Sequence, residues 1–340
     1  MMLVRSKAPL RLGLAGGGTD VSPYSEIYGG AILNATINKY SFCTIEPLSD
    51  RKIAFMAIDR NERFTCDAVE KMEIDGHLDL LKGVYNRVVK DFVHKPLSFS
   101  LSTYVDAPPG SGLGSSSTLV VAILGAFVEW LKLPLGDYDI AHLAYEIERV
   151  DLAMAGGKQD QYAATFGGFN FVEFYDNDRV VVNPLRIRQE LVNELEMNFV
   201  LYYTGTSRLS SKIIEDQSKH TQKSGDALDS MHKVKQQSYM MKEAILKGEF
   251  NKIGDILDFG WKHKKATSSS ISNTQIEKIY DIAKKAGATG GKISGAGGGG
   301  FFLFFCPDDT RYGVKKALAL LNGNMQDFQF TQNGLMTWSV

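Results

Sequence analysis

The sequence has 340 residues, of which 44% are hydrophobic and 23% are charged, and its formal net charge is −1. This composition is typical of a folded globular protein that is long enough for two domains, and it argues against an intrinsically disordered chain. The near-zero charge argues against nucleic acid as a partner, because binding driven by counterion release needs an excess of Lys and Arg.

Cysteine usage and hydropathy narrow the class of protein further. Cys43, Cys66 and Cys306 are odd in number and form no C-x-x-C pair, which argues against a disulfide framework and a zinc site. No segment has 18 uninterrupted apolar residues, and the N-terminus has no continuous apolar region of the kind found in signal peptides. We therefore expect a cytoplasmic protein with no membrane partner.

The first half of the chain predicts a mixed sheet covered by helices. In the opening third, short β-type runs alternate with Gly, Pro, Asn and Asp. Helical spacing of apolar residues predicts a helix over 79–93 and another over 137–155, which Gly156 and Gly157 should end. The nearly continuous apolar stretch behind Ser117 predicts a buried helix that begins just after the serines.

The second half has a different pattern. A β-type run covers 198–207, and long polar segments with helical spacing cover 208–247, 249–264 and 273–286. A strongly apolar strand is predicted over 301–306. The change predicts two domains, 1–185 and 186–340. The basic cluster Trp-Lys-His-Lys-Lys at 261–265 is expected to be a solvated helix face.

The stretch "PPGSGLGSSS", residues 108–117, is the first candidate for chemistry. It is not a P-loop, because Gly114 is followed by Ser115 where that motif has Lys, and its glycines do not have the dinucleotide-binding spacing. What remains is a glycine-rich loop that leads to the N-terminus of a buried helix. Unpaired N–H groups and the helix dipole favour a bound phosphate there, although a flexible loop with a serine cap is the alternative.

Two more glycine-rich stretches accompany it. "APLRLGLAGGGTD", residues 8–20, places Arg11 before three glycines, and "GGKISGAGGGG", residues 290–300, leads into an apolar strand. Each could be a simple turn. Three such loops in one chain are hard to attribute to turns alone.

In this order, the three stretches resemble the three motifs of the GHMP small-molecule kinases, the superfamily of galactokinase, homoserine kinase and mevalonate kinase. The resemblance spans residues 5 to about 305. It implies an α+β fold with a ribosomal-protein-S5-domain-2-like N-terminal domain and a ferredoxin-like C-terminal domain. It also implies that ATP binds with Mg²⁺ in the cleft between them. The loop residues that it assigns to the nucleotide are Pro109, Gly110, Ser111, Gly112, Leu113, Gly114, Ser115, Ser116 and Ser117.

The resemblance also implies the catalytic residues. A helix glutamate and a later aspartate act together in the family, and Glu148 and Asp160 match them here. Asp160 would be the catalytic base, and Glu148 and the hydroxyl of Ser116 would hold Mg²⁺. Arg11 would keep Asp160 ionised or stabilise the transferred group. The alternatives are a solvated helix glutamate at Glu148 and a helix cap at Asp160.

The substrate is suggested by the "GGGTD" element. In galactokinase, Glu and His contact the sugar where this chain has Gly17 and Gly18, so galactose is in doubt and a larger substrate has room. The pattern is most similar to the kinases of D-glycero-D-manno-heptose 7-phosphate, which phosphorylate the anomeric hydroxyl and supply GDP-heptose for surface polysaccharide. A phosphorylated substrate needs a further cation. The predicted substrate residues are Gly17, Gly18, Thr19, Asp20, Lys158, Arg208, Lys212 and Gly297.

Three alternatives stay open at this stage. One is a fucokinase-like or galactokinase-like sugar 1-kinase, and another is an isoprenoid or amino-alcohol kinase of the same superfamily. The third is a non-catalytic sensor of sugar and nucleotide on the same scaffold. The sequence also leaves the oligomeric state open, a homodimer included.

Overall fold

The computed structural model describes residues 3–206, 210–223 and 225–340, which contain two β-sheets with helices packed on them. The strands of the larger sheet are β1 Val4–Ala15, β2 Gly30–Pro47, β3 Lys52–Ala57, β4 Glu62–Asp67, β5 Phe99–Val105, β6 Phe169–Phe174, β7 Val180–Pro184 and β12 Met336–Ser339. Those of the smaller sheet are β8 Phe199–Tyr203, β9 Gly290–Ile293, β10 Phe301–Phe305 and β11 Asn324–Gln326.

The helices follow the same chain order. They are α1 Tyr24–Tyr28, α2 Asp79–Val88, α3 Ser115–Leu131, α4 Asp137–Glu146, α5 Gln159–Phe166, α6 Gln189–Asn198, α7 Ser210–Lys223, α8 Gly225–Lys247, α9 Ile253–Thr267, α10 Thr274–Lys285 and α11 Thr310–Leu318. Short π-helical turns at Val89–Val93 and Ile147–Asp151 extend α2 and α4, and a 3₁₀ turn at Phe250–Lys252 precedes α9. No helix in this described part of the chain is long and apolar enough to cross a bilayer.

The larger sheet has the strand order β12-β1-β2-β5-β3-β4, and β6 and β7 extend it from the other half of the long strand β2. Helix α3 packs on β1 and β2, and every residue from Ser117 to Phe127 is buried. An apolar surface all around a helix requires such burial on every side. The predicted buried helix is therefore confirmed, although it begins at Ser115, so that the serines form its first turn.

The smaller sheet has the order β11-β8-β10-β9, with every neighbouring pair antiparallel. When these four strands are numbered by their order in the chain, their order across the sheet is 4-1-3-2. Helices connect the first strand to the second and the third strand to the fourth. That is the ferredoxin-like arrangement, so the predicted α+β fold is confirmed.

Two predicted boundaries need correction. The helix expected over 137–155 ends at Asp151, because Ala153 adopts a left-handed conformation with φ 51° before the two glycines are reached. The segment expected as one helix over 208–247 contains two helices, α7 and α8. Helix α6, which precedes β8, was not predicted.

The C-terminus returns to the larger sheet. Strand β12 pairs antiparallel with β1, so the last residues of the predicted 186–340 domain lie in the N-terminal sheet. Leu335, just before β12, lies against Gly125 of α3, where an added Cβ would come within 2.7 Å of it. The boundary near 185 stays a prediction.

Candidate active site

Residues from both halves of the chain enclose a cavity of about 530 Å³. Its walls come from the first glycine-rich stretch, the loop before α3, the segment between α4 and α5, and the C-terminal helices α7 and α9. The lining residues used below are Arg11, Gly18, Asp20, Gly110, Gly112, Gly114, Ser115, Ser116, Ser117, Glu148, Arg149, Gln159, Asp160, Gln217, Lys264 and Gly295.

The N-terminus of α3 faces this cavity. Gly114 precedes the helix in a left-handed conformation with φ 77°, and none of the described side chains caps this helix end. The first-turn N–H groups of Ser115, Ser116 and Ser117 have no carbonyl four residues back within the helix. They present unpaired donors and the positive end of the helix dipole to the cavity, which suits a bound phosphate.

The loop before α3 is held against the third glycine-rich stretch. Arg11 Nη1 and Ser294 Oγ both donate to the carbonyl oxygen of Gly112, at 2.6 and 2.9 Å. A Cβ on Gly112, whose φ is 85°, would lie 2.2 Å from the carbonyl oxygen of Ser294. Glycine is therefore required here for these two loops to touch.

Not every predicted loop residue lines the cavity. The lining includes Gly110, Gly112 and the stretch from Gly114 to Ser117. Pro109 is exposed beside the cavity, Leu113 is buried in the apolar core, and the carbonyl oxygen of Ser111 accepts from the N–H of Phe301. Leu113 and Ser111 thus anchor the loop, to the apolar core and to the start of β10.

Glu148 is buried, with 1% of its surface exposed, and both of its carboxylate oxygens are engaged. Oε1 accepts from Ser116 Oγ at 3.1 Å, and Oε2 accepts from Gln161 Nε2 at 2.5 Å. The solvated alternative for Glu148 is therefore wrong. A buried carboxylate next to a hydroxyl offers the oxygen ligands that Mg²⁺ prefers.

No cluster of three or more His, Cys, Asp or Glu suited to a metal occurs in the described ranges. Mg²⁺ is usually held by one or two carboxylates together with water and substrate phosphates. Ser116 and Glu148 thus fit the role predicted for them.

Asp160 lies in the first turn of α5 and is paired with Arg11. Arg11 Nε donates to Asp160 Oδ1 at 2.7 Å, and Nη2 lies 2.6 Å from the same oxygen. Oδ2 accepts no hydrogen bond from any described residue. It lies beside Gly114, where a Cβ would be 3.2 Å away. The carboxylate, whose side chain is 21% exposed, therefore has one oxygen fixed and one open beside Gly114, at the N-terminus of α3.

Asp20 is a second buried carboxylate in the cavity wall. It accepts from the N–H groups of Gly18 and Gln159 at 3.3 and 3.1 Å. Burial and the nearby charge of Asp160 raise the pKa of Asp20. Its oxygens are suited to accept hydrogen bonds from sugar hydroxyls.

Sequence reasoning missed two buried lysines. Lys264 Nζ donates to the carbonyl oxygen of Gly295 at 2.7 Å, and Lys292 Nζ donates to that of Gly13 at 2.6 Å. Burial lowers the pKa of Lys264 to about 8 and lowers that of Lys292 strongly. The expectation of a solvated face at 261–265 is wrong for Lys264, which lines the cavity.

A signal for Lys264 was present in the sequence. It lies seven residues after Leu257 and three after Trp261, so it falls on the apolar stripe of α9. A charged residue in an apolar stripe is either paired or functional.

Arg149 is a further cavity residue that the sequence analysis did not identify. Its guanidinium lines the cavity and packs so closely over Gly156 that a Cβ there would lie 2.3 Å from Cζ. It donates to the carbonyl oxygens of Met154 and Gly157 and lies 3.7 Å from a carboxylate oxygen of Glu148.

The predicted substrate residues divide into two groups. Gly18 and Asp20 line the cavity, and Gly17 lies next to Lys264, where a Cβ would be 3.5 Å from Nζ. Thr19 points inward instead, since its hydroxyl donates to the carbonyl oxygens of Gly16 and Ala31.

Three other predicted substrate residues, Lys158, Lys212 and Gly297, do not line this cavity. Lys158 Nζ is paired with Glu26 and Asp178, at 2.9 and 2.7 Å, so its charge is already neutralised. Lys212 is exposed on α7, and Gly297 packs against Ile271. Arg208 lies outside the described residues.

Comparison with known proteins agrees with this geometry. Residues 79–168 match the model of the N-terminal domain of GHMP kinases, and residues 241–321 match that of the C-terminal domain. A D-glycero-alpha-D-manno-heptose 7-phosphate kinase of Campylobacter jejuni is 51% identical over the full length of both chains.

Two further comparisons cover most of this chain. The crystal structure of a D-glycero-D-manno-heptose 1-phosphate kinase from Bacteroides thetaiotaomicron has a TM-score of 0.85 and 49% identity, and covers 99% of each chain. A bifunctional fucokinase/GDP-fucose pyrophosphorylase of Arabidopsis thaliana is 26% identical over 88% of this chain but 29% of its own length. Two matched domain models and a relative identical at half of all positions leave one conclusion: this chain belongs to the GHMP kinase family.

Proposed function

We propose that this protein is a cytoplasmic, ATP-dependent sugar kinase that phosphorylates the anomeric hydroxyl of D-glycero-D-manno-heptose 7-phosphate. The product is the 1,7-bisphosphate, an intermediate suited to GDP-heptose and surface polysaccharide synthesis. The observation that carries the proposal is the placement of Asp160 Oδ2, unpaired among the described residues, beside the loop that ends at the N-terminus of α3.

The phosphates of ATP would lie against this loop and helix end. The N–H groups of Ser115, Ser116 and Ser117 offer donors, and the glycines before them let the backbone approach a ligand closely. The cavity of about 530 Å³ is large enough for the phosphates and a sugar together.

Mg²⁺ would be held by Ser116 Oγ and Glu148. When bound, it supplies positive charge that neutralises the phosphate oxygens. Gln161 fixes Glu148 from the other side through Oε2, so the carboxylate is oriented before any ligand arrives.

Asp160 would act on the substrate hydroxyl. The hydroxyl oxygen attacks the terminal phosphorus of ATP, a new O–P bond forms, the bond to the bridging oxygen breaks, and ADP leaves. The proton of the hydroxyl passes to Asp160 Oδ2. Arg11 keeps the carboxylate oriented and compensates its charge before the transfer.

The identity of the sugar is supported by the relatives. Two relatives near 50% identity are named as kinases of phosphates of the same heptose, the 7-phosphate in one name and the 1-phosphate in the other. A kinase that acts on the 7-phosphate at the anomeric position accounts for both positions. The fucokinase relative supports a second candidate, a sugar 1-kinase for a 6-deoxy sugar, at much lower identity.

The test is a panel assay of ADP formation with purified protein, Mg²⁺ and ATP. The panel contains D-glycero-D-manno-heptose 7-phosphate, the same heptose without phosphate, L-fucose, galactose and mevalonate. The proposal expects the highest kcat/KM for the heptose 7-phosphate. A preference for fucose, galactose or mevalonate contradicts it, and no ADP with any acceptor would favour a non-catalytic sensor.

A further inference from the structure

Lys264 is a buried cation that lacks a carboxylate partner. It is 3% exposed and donates to one backbone carbonyl, that of Gly295. No carboxylate within the described part of the chain forms an ion pair with it at 4.0 Å or less. An ammonium group has three donors, and burying its charge without compensation is costly. Such a group facing a cavity indicates that an anion binds there.

The other cations of the cavity wall are already compensated. Arg11 is paired with Asp160, and the guanidinium of Arg149 lies 3.7 Å from a carboxylate oxygen of Glu148. Among the described cations that line this cavity, Lys264 is the one with no carboxylate oxygen within 4.0 Å.

Lys264 lies beside the first glycine-rich stretch, whose residues Gly17 and Asp20 are predicted to bind the sugar. Its ammonium lies next to Gly17, and the missing side chain at Gly17 keeps it open to the cavity. The nearby charge of Asp20 acts on it as well, and Asp20 offers acceptors for hydroxyl groups. The donors for the nucleotide phosphates, in contrast, come from the first turn of α3.

We propose that Lys264 Nζ binds the phosphate group that the sugar substrate already carries, and thereby makes the enzyme prefer a phosphorylated sugar. This inference rests on the proposed function, because it presupposes a sugar phosphate as the substrate. Burial lowers the pKa of Lys264, and a bound phosphate dianion would offset this effect because it stabilises the protonated amine.

The test crosses two variants with two substrates. Lys264→Met removes the charge, and Lys265→Met, one residue on along α9 and paired with Glu277 outside the cavity, is the matched control. Each is assayed with the heptose 7-phosphate and with the unphosphorylated heptose. For Lys264→Met we expect kcat/KM for the 7-phosphate to fall about 10-fold to 100-fold, as for a lost hydrogen bond to a charged group. The value for the unphosphorylated heptose should stay within about 2-fold, and the KM for ATP should not change.

Binding measured by calorimetry with the heptose 7-phosphate, without nucleotide, should show the same loss. Lys264→Arg, which keeps the charge, should restore part of it. If Lys264→Met does not fold, Lys264→Gln replaces it, because the amide can still donate to Gly295. An equal loss with both sugars, or a rise in the KM for ATP instead, overturns the inference.

Failure of the two proposals can be told apart. If the wild type prefers another phosphorylated sugar, the heptose assignment fails and the same cycle is run on that sugar and its unphosphorylated form. If the wild type prefers an unphosphorylated sugar, the role of Lys264 is overturned while the kinase activity stands.

Discussion

Arg11 and Asp160 are separated by 149 positions in the sequence, yet two nitrogens of the guanidinium contact a single carboxylate oxygen. Nε and Nη2 of Arg11 both contact Oδ1 of Asp160. Oδ2 of Asp160 accepts no hydrogen bond from any described residue, and it faces the loop at Gly114. The pair therefore orients the carboxylate without occupying the oxygen that can accept a proton.

Asp160→Asn tests the role of this oxygen. The amide keeps the shape of the side chain but cannot take up the hydroxyl proton, so we expect kcat to fall by about 10² to 10⁴. Binding of Mg-ATP, measured by calorimetry, should be unchanged. Turnover near that of the wild type would remove Asp160 from the role of base.

Arg11→Lys tests whether Asp160 needs the geometry of the arginine side chain or only its positive charge. Lysine keeps the charge, but it cannot contact Asp160 with two nitrogens and Gly112 with a third. We expect kcat to fall at least about 10-fold.

Arg11→Met should in addition lower the free energy of unfolding by about 3 kcal/mol, since it leaves the partly buried carboxylate of Asp160 without its ion-pair partner. Denaturant unfolding measures this, and equal stability of the two variants would contradict it.

Glu148→Gln tests the metal ligand. A neutral amide binds Mg²⁺ more weakly than a carboxylate does, so the Mg²⁺ concentration for half-maximal activity should rise about 10-fold or more. Glu146→Gln is the control, because that carboxylate lies on the same helix and pairs with Arg87. If Glu148→Gln and Glu146→Gln need the same Mg²⁺ concentration for half-maximal activity, Glu148 is not a ligand of the metal.

The neighbouring residues Gly16 and Gly17 are expected to be needed for different reasons, Gly16 for stability and Gly17 for substrate binding. A Cβ on Gly16, whose φ is 79°, would lie 2.0 Å from the carbonyl oxygen of Ala31, so Gly16→Ala should destabilise the protein by several degrees in Tm. Gly17→Ala meets only Lys264 Nζ, at an ordinary 3.5 Å. It should keep its Tm but raise the KM for the sugar phosphate. Equal Tm losses in both variants would contradict this distinction.

The pH dependence follows from Lys264. Because the pKa of Lys264 is lowered to about 8, kcat/KM for the sugar phosphate should fall as the pH rises through 8, as the ammonium loses its proton. Arg11, Asp20 and Lys292 also act on this group. The fall should be absent in Lys264→Arg, and a similar fall in that variant would assign it to another group.

The lowered pKa of Lys264 also makes the stability of the protein depend on pH. Stability should rise over the pH range in which kcat/KM falls. Between about pH 8 and the ordinary lysine pKa of about 10.4, the unfolded chain holds a proton at Lys264 that the folded chain does not. The contribution of Lys264 therefore favours the folded state increasingly as the pH rises through this range. Lys264→Met should lack that contribution, and its Tm at pH 7 should not fall below that of the wild type.

The residues that the sequence could identify are those whose type is fixed by backbone geometry or by chemistry. The glycines before α3 form a recognisable motif, and the resemblance to the kinase family implied Glu148 and Asp160. The structure places all of them around one cavity. Lys264 was missed because its position depends on how α9 packs against the first glycine-rich stretch, a long-range contact. The return of β12 to β1 was missed for the same reason, since pairing over more than 300 residues leaves no local pattern.

The most direct test of the central claim is phosphorus NMR of the product made from ATP and D-glycero-D-manno-heptose 7-phosphate. The account predicts one new phosphate resonance coupled to the anomeric proton, formed in step with ADP and absent with Asp160→Asn. A new phosphate on any other carbon, or product formed equally well by Asp160→Asn, would contradict it.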